Sequence, residues 1–260
     1  MTFGERAAFE GVLTQLKPRL AIEIGTAEGG SLQRLAKHSE QVHSFDLVTP
    51  DDSVAVLDNV TLHTGDSHVL LKQLLGELAA AGENVDFVLV DGDHSADGAE
   101  QDLRDLLDSD AVRRTVILMH DTLNDEVREG FARVDLAAVD KVVHGDLDFV
   151  GGHLSEGGDF HHQLWGGLGL VIVDVDGEPI GGAGREGEGF YDLFEIVSGA
   201  RDAMVAAERG ESAGGENEEV ARLQRELAQA RADLSRISSS PSWRVTAPLR
   251  AAKRAIGNRS

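Results

Sequence analysis

The stretch Ala21-Ile-Glu-Ile-Gly-Thr-Ala-Glu-Gly-Gly-Ser31 organises the rest of the chain. It predicts a short apolar strand that stops at Gly25, a tight turn, and a helix whose N-cap is Ser31. A strand followed by a glycine turn and a helix presents backbone N–H groups to a ligand. Glu23 stands among the apolar residues of this strand, so it needs a partner or a function.

Strands and helices alternate on both sides of this stretch. The apolar runs predict seven strands, at Leu20–Ile24, Gln41–Phe45, Val60–Thr64, Val85–Val90, Thr115–Met119, Val139–Val143 and Leu168–Val173. Helical spacing of apolar residues predicts helices at Phe3–Lys17, Ser31–His38, Val69–Ala81, Ala96–Leu107, Asp125–Val134 and Phe190–Glu208. Gly151–Gly167 and Gly177–Gly189 are predicted to be glycine-rich loops. The alternation predicts an α/β fold with a doubly wound, mostly parallel seven-stranded sheet and a C-terminal helical appendage.

Composition excludes several classes of protein. The 260 residues contain no cysteine, so neither disulfides nor a Cys-ligated metal can form, and a cytoplasmic location is expected. The N-terminus lacks the basic and apolar pattern of a signal peptide, and no apolar run is long enough to span a bilayer. The formal net charge of -22 argues against nucleic acid as a partner.

The C-terminal residues differ from the rest. We expect a domain over 1–209, a polar linker over 210–219, a heptad helix over 220–238 and a basic amphipathic tail over 239–260. The heptad positions are Val220, Leu223, Leu227, Ala230, Leu234 and Ile237. They fit either a homo-oligomeric coiled coil or a single helix packed on its own domain. The tail fits peripheral contact with the inner face of a membrane, docking on a partner, or a disordered segment.

Polar side chains follow five of the predicted strands. They are Gly25-Thr26, Asp46, Asp66 with Ser67, Asp91 with His94, and His120 with Asp121. Because ligands of an open parallel sheet bind beyond the C-terminal ends of its strands, these residues predict a functional crevice. Asp46 lies 21 residues after Gly25, the spacing at which a carboxylate accepts the hydroxyls of a ribose.

The glycine turn favours a cofactor with positive charge. A dinucleotide fingerprint would place a glycine at position 27, where this chain has Ala27. Glu28 would also repel a pyrophosphate.

Five motifs in order resemble those of a class I S-adenosylmethionine-dependent methyltransferase. They are Glu23-Ile-Gly-Thr-Ala-Glu-Gly29, Asp46, Gly65-Asp66-Ser67, Val90-Asp-Gly-Asp-His94 and His120-Asp121-Thr122. The branch they are most similar to consists of small bacterial O-methyltransferases of sugars and natural products. The resemblance covers residues 1–175 and implies S-adenosylmethionine as cofactor and a small-molecule or glycan acceptor.

The resemblance also implies roles for individual residues. The implied cofactor-binding set is Glu23, Gly25, Thr26, Gly29, Ser31, Asp46, Asp66, Ser67 and Asp91. Within it, Asp46 would bind the ribose hydroxyls, and Asp66 and Ser67 would lie near the adenine. His94 would be the general base beside Asp91, and Asp91, His120 and Asp121 would hold a divalent metal, Mg²⁺ or the softer Mn²⁺.

Other interpretations stay open at this point. An NAD-dependent oxidoreductase, or a hydroxylase-like relative, would share the fold. A non-catalytic scaffold that carries a binding tail is a third reading. His94 and His120 could each have a structural role, and Trp165 could be a core residue or an apolar wall for a sugar face.

Overall fold

A computed structural model describes residues 1–48, 57–155, 157, 160–180 and 193–209. The sheet and its flanking helices belong to one compact unit, Met1–Arg201, and a second unit begins at Asp202. The predicted linker, heptad helix and basic tail lie outside the described residues and stay predictions. Within the described ranges, no helix combines the length and the apolar character needed to cross a membrane.

Seven strands form one sheet. They are β1 (Leu20–Ile24), β2 (Gln41–Asp46), β3 (Val60–Thr64), β4 (Phe87–Val90), β5 (Arg114–His120), β6 (Val142–Leu154) and β7 (Leu164–Asp174), in the order β3-β2-β1-β4-β5-β7-β6. β1 to β5 are parallel, whereas β7 runs antiparallel to both β5 and β6. The helices are α1 (Phe3–Leu16), α2 (Gly30–His38), α3 (Ser67–Ala81), α4 (Ala96–Leu107), α5 (Asp125–Ala132) and α6 (Leu193–Glu208). The predicted fold class is therefore confirmed.

Apolar layers cover both faces of the sheet. On one face, Ile22 and Ile24 pack with residues of α3 and α4, such as Leu71 and Leu103. On the other face, Ala21 packs with residues of α1 and α2, such as Phe9. Since side chains alternate along a strand, Glu23 faces the same side as Ala21, under α1 and α2.

Two local predictions were wrong. Ser31 is not the N-cap of α2, because the helix begins at Gly30 and Gly29 occupies the N-cap with a φ of 74°. Gly151–Gly167 is not a loop throughout, because β6 extends to Leu154 and β7 begins at Leu164. Glycine there allows the two strands to lie close together, because a Cβ on Gly152 would lie only 2.3 Å from the Trp165 carbonyl oxygen.

Candidate active site

A cavity of about 510 Å³ opens where β1 and β4 lie side by side and the strand order reverses. This is the position at which open α/β sheets bind their ligands. The cavity is lined by the turns after β1 to β4: Ile24, Gly25, Ala27, Phe45, Asp46, Leu47, Gly65, Asp66, Ser67, His68, Asp91, Gly92, Asp93 and His94. Six of the predicted site residues therefore line a single cavity.

The first turn fits closely against the end of β4. A Cβ on Gly25 would lie 1.9 Å from the carbonyl oxygen of Asp91, and the φ of Gly25 is 92°. Only glycine meets both conditions. The turn then continues into α2 through Ala27 and Gly29, both with positive φ.

Asp46 binds the glycine turn. Its Oδ2 accepts hydrogen bonds from the backbone N–H groups of Thr26 at 2.9 Å and Ala27 at 2.8 Å, and its Oδ1 accepts one from Val48 at 3.0 Å. Although partial burial opposes them, these bonds lower the pKa of the Asp46 carboxyl. Asp46 is thus an anion on the cavity wall, as its predicted role requires.

Glu23 lies beneath the turn and is fully buried. The Ser44 hydroxyl donates to Glu23 Oε2 at 2.7 Å and lies 2.6 Å from the Thr26 hydroxyl, whereas Oε1 makes no full hydrogen bond in the described part of the chain. Burial raises the pKa of Glu23 to about 8, against the opposing effect of the Ser31 and Ser44 hydroxyls. Glu23 is therefore protonated at neutral pH in this arrangement.

Asp91, His94 and Asp121 form a triangle of potential ligand atoms within 4.8 Å of one another. His94 Nε2 lies 3.1 Å from Asp121 Oδ2 and 3.6 Å from Asp91 Oδ1. The His94 side chain is 44% exposed, whereas that of Asp121 is 9% exposed. The left-handed φ of 55° at Asp121 turns the chain away at the end of β5, and the Gly166 N–H fixes its other carboxylate oxygen at 2.7 Å.

His120 stands behind the two carboxylates. Its Nδ1 lies 3.0 Å from Asp91 Oδ1 and 3.2 Å from Asp121 Oδ2, and its Nε2 lies 3.4 Å from Glu5 Oε2. Although burial opposes them, the hydrogen bonds to Asp121, Asp91 and Glu5 raise the pKa of His120 to about 11. Both ring nitrogens of His120 thus face carboxylate oxygens of the protein, and its role as a metal ligand stays a prediction.

The carboxylates also act on His94. Their hydrogen bonds, that of Asp121 first and that of Asp91 second, raise the pKa of His94 to about 9 despite partial burial. In the opposite sense, the two imidazoles hold the pKa of Asp121 below its usual range, although burial raises it. The cluster is therefore an alternation of two anions and two cations at neutral pH.

An aromatic pair lies next to His94. The Trp165 ring meets the His94 ring edge-on at 5.6 Å, and the exposed Phe160 ring meets Trp165 edge-on at 5.4 Å. Trp165 Nε1 donates to Gln163 Oε1 at 3.0 Å. Trp165 is half-buried, so it is a wall beside His94 rather than a core residue.

The remaining predicted residues surround the cavity without lining it. Glu23, Thr26, Gly29 and Ser31 support the first turn from behind, and His120 and Asp121 complete the end of β5. Sequence reasoning missed Glu5, whose only local signal is its capping box with Thr2. It also missed His68, whose Nδ1 lies 3.2 Å from Asp102 Oδ1. Burial raises the pKa of that Asp102 carboxyl to about 7.

Comparison with known families agrees with this geometry. Residues 22–122 match the family model described as a methyltransferase domain. This region is a methyltransferase domain. The resemblance to a methyltransferase is thereby confirmed, as is the prediction that the chain is an enzyme, whereas the individual motifs and the sugar and natural-product branch stay predictions. No curated protein matches the sequence.

Solved structures include proteins similar to the chain. An O-methyltransferase from Bacillus cereus in complex with SAH is 18% identical, with 66% of this chain and 82% of that chain covered and a TM-score of 0.49. The O-methyltransferase of tomaymycin synthesis from Streptomyces achromogenes, in complex with SAM, is 17% identical, with 67% and 81% covered and a TM-score of 0.46. With scores below 0.5, neither likeness bears on what this chain does.

The methyltransferase domain, as matched, runs from the middle of β1 to Thr122. It includes the glycine turn and the carboxylates and imidazoles at the ends of β2 to β5. Helix α1 and the β6–β7 hairpin lie outside it, although both contribute contacts to the candidate site.

Proposed function

We propose that the chain transfers a methyl group from S-adenosylmethionine to a hydroxyl group of a sugar or glycoside. The observation that carries the proposal is the shared lining of one cavity. Gly25, Asp46 and Asp66 line it together with Asp91 and His94. A methyl donor bound along the strand ends would therefore have a base and two carboxylates within the same crevice.

The first part of the cavity suits a ribose next to a cationic amino acid. Asp46 is held on the cavity wall by backbone N–H groups of the glycine turn and of Val48, and as a carboxylate there it could accept a hydrogen bond from a ribose hydroxyl. Glu23 lies behind the turn, and its Oε1 accepts no hydrogen bond from any residue that the structure describes. A sulfonium or ammonium group nearby would favour the ionised form of Glu23, so we expect cofactor binding to release its proton.

The reaction requires an in-line attack. The acceptor oxygen forms a bond to the methyl carbon while the carbon–sulfur bond breaks, and the electron pair stays on sulfur to give S-adenosylhomocysteine. The hydroxyl proton must leave, and His94, with its ring partly exposed to the cavity, would accept it. The products are a methyl ether, S-adenosylhomocysteine and protonated His94.

The pKa of His94 limits this role. Because Asp121 and Asp91 raise it to about 9, the neutral ring that can act as a base is the minority form at pH 7. Anything that withdraws negative charge from the two carboxylates would increase that fraction. A divalent cation held by them would do so.

The donor set fits such a cation. The carboxylates of Asp91 and Asp121 supply oxygen, and the imidazole of His94 supplies nitrogen. Carboxylates alone would suit either Mg²⁺ or Mn²⁺, whereas a His94 nitrogen among the ligands would favour Mn²⁺. When bound, a divalent metal would polarise the acceptor hydroxyl. His94 Nε2 cannot both bind the metal and take the proton, so the carboxylates are the ligands if His94 is the base.

The aromatic pair supports the proposed acceptor class. Trp165 and Phe160 present ring surface beside His94. Such surface covers the apolar face of a pyranose while its hydroxyls remain free to reach polar groups.

Two measurements test the proposal. Calorimetry should detect binding of S-adenosylhomocysteine and none of NAD; the reverse result would replace the methyltransferase by an oxidoreductase. S-adenosylmethionine with a tritiated methyl group, incubated with a panel of methyl glycosides, should then label at least one of them. Cofactor binding without labelling of any glycoside would reject the sugar acceptor but not the cofactor.

A further inference from the structure

One side chain of helix α1 reaches the candidate active site from outside the matched domain. We propose that Glu5 is a positioning residue of this site, which holds His120 and, through His120, the carboxylates of Asp91 and Asp121. The proposal rests on the proposed function in taking Asp91 and Asp121 as the reacting end of the cavity.

The burial of Glu5 is the first observation. Glu5 is 0% exposed although it lies in the first turn of an N-terminal helix, where acidic residues are normally solvated. A carboxylate buried to this extent requires charged or hydrogen-bonding partners. It finds them on β5 and β7, 115 and 162 residues away in sequence.

The two oxygens of Glu5 have separate partners. Oε1 accepts the backbone N–H of Gly167 at 2.7 Å, and Oε2 faces His120 Nε2 at 3.4 Å. The backbone N–H of Thr2 also donates to Oε2. Backbone N–H groups therefore fix both carboxylate oxygens of Glu5, independently of the contact with the His120 imidazole.

Strand β7 provides the space for this contact. A Cβ on Gly166 would lie 2.4 Å from Glu5 Oε1, and both Gly166 and Gly167 have positive φ. The glycine pair thus brings a backbone N–H toward Glu5 while leaving room for its carboxylate. The same pair serves the active site directly, because Gly166 N–H binds Asp121.

His120 connects Glu5 to the carboxylates of Asp91 and Asp121. Its Nε2 faces Glu5 and its Nδ1 faces both Asp91 and Asp121, so the ring is held from two sides. Without Glu5, no described side chain would fix the Nε2 side of this ring. We expect the imidazole to reorient, and the two carboxylates to lose the donor that sets their spacing.

Glu5 also belongs to the capping box of α1, so the test must separate two roles. Glu5→Gln keeps the shape and the acceptor oxygen but removes the charge that faces His120. Thr2→Val removes the hydroxyl of the cap and leaves Glu5 in place. Glu10→Gln is a second control on α1, since Glu10 binds Arg34 and His38 of α2 at 2.5 and 2.7 Å, away from His120.

Two readouts are compared across these variants of the full chain. The first is the NMR signal of the His120 ring nitrogens, which should shift in Glu5→Gln and stay unchanged in Thr2→Val and Glu10→Gln. The second is turnover with the methyl glycoside panel, where kcat should fall about 10-fold to 100-fold in Glu5→Gln. The Kd for S-adenosylhomocysteine and the KM should change less than about twofold, and the controls should keep wild-type kcat.

The proposal is overturned if the His120 signals of Glu5→Gln match those of the wild type, or if Thr2→Val lowers kcat as much as Glu5→Gln does. If Glu5→Gln does not fold, Glu5→Asp takes its place, because it keeps the charge and the capping capacity but is one methylene too short to reach both Gly167 and His120. Wild-type protein that labels no glycoside would reject the sugar acceptor of the proposed function. The His120 signals would then decide the role of Glu5 by themselves.

Discussion

Gly25 and the carbonyl oxygen of Asp91 are in such close approach that a Cβ on Gly25 would lie 1.9 Å from that oxygen. The first glycine turn and the end of β4 therefore define each other's position. The Asp91 side chain also faces His120 and His94. The contact between Gly25 and the Asp91 backbone therefore links the glycine turn to the proposed reacting groups.

Gly25→Ala should abolish binding of S-adenosylhomocysteine. The new methyl group cannot be accommodated without moving the backbone of Asp91, and the left-handed φ of 92° adds strain of about 1 kcal/mol or more. Calorimetry measures the binding, and thermal unfolding measures the accompanying loss of stability. Gly11→Ala is the matched control, because Gly11 lies on α1 with nothing near its Cβ and alanine there should stabilise the helix slightly. A Gly25→Ala protein with wild-type affinity would contradict the close-approach interpretation.

The buried carboxyl of Glu23 predicts how stability changes with pH. Its pKa is about 8 in the folded chain against 4.5 for the model compound, so the unfolded chain loses this proton first as the pH rises. Between pH 4.5 and 8 the Glu23 contribution therefore becomes progressively destabilising, by about 3 kcal/mol at pH 7. Glu23→Gln should unfold at a higher temperature than the wild type at pH 7 and at nearly the same temperature at pH 4. A difference in unfolding temperature that does not depend on pH would show that Glu23 is not the titrating group.

The proposed base predicts a pH profile of turnover. In metal-free protein, where Asp121 and Asp91 raise the pKa of His94 to about 9, kcat should rise with pH and level off above 9, and a divalent cation bound by the two carboxylates should move this inflection to lower pH. His94→Ala should remove this inflection and reduce kcat by roughly 10²-fold to 10⁴-fold, with cofactor affinity nearly unchanged. Rate measurements from pH 6 to 10, paired with calorimetry, check both points. Loss of cofactor binding in His94→Ala would instead assign the ring a structural role.

Metal removal tests the triangle of Asp91, His94 and Asp121. Dialysis against a chelator should lower kcat by about 10²-fold or more, and added Mg²⁺ or Mn²⁺ should restore it; a strong preference for Mn²⁺ would indicate that His94 nitrogen is a ligand rather than the base. Asp121→Asn should weaken Mn²⁺ binding measured by electron paramagnetic resonance. Asp97→Asn should not, because Asp97 is an exposed residue of α4 that pairs with Arg133. Full activity after exhaustive chelation would eliminate the metal and leave His94 as the sole source of proton removal.

The sequence predicted the central sheet because its signals are local. The apolar run that ends at Val90 needs no distant information to be recognised as a buried strand, and Asp46, Asp66 and Asp91 follow their strands directly. Strands were predicted at Val139–Val143 and Leu168–Val173, but the ends of β6 and β7 that lie in Gly151–Gly167 were mistaken for a loop because their glycines serve contact between two strands. That contact becomes visible only when Gly152 and Gly166 are paired.

The roles of Glu5 and His120 depend on contacts between residues far apart in the sequence, which is why sequence patterns did not reveal them. Glu5 has a sufficient local explanation as the capping partner of Thr2, so nothing in the sequence directs attention to His120, 115 residues away. The same limit applies to His120. Its residue type permits a metal ligand, and only the carboxylates found on both sides of its ring indicate a hydrogen-bond donor.

The opening residues of β7 have a consequence for engineering. Trp165 lies against His94, Gly166 binds Asp121 and Gly167 binds Glu5, so three successive residues contact the proposed acceptor wall, the proposed reacting carboxylate and its proposed support. Any graft that exchanges Leu164–Gly167 to alter acceptor choice would disturb the chemistry at the same time. The crossover points of a chimaera therefore belong before Leu164, so that β7 is kept intact.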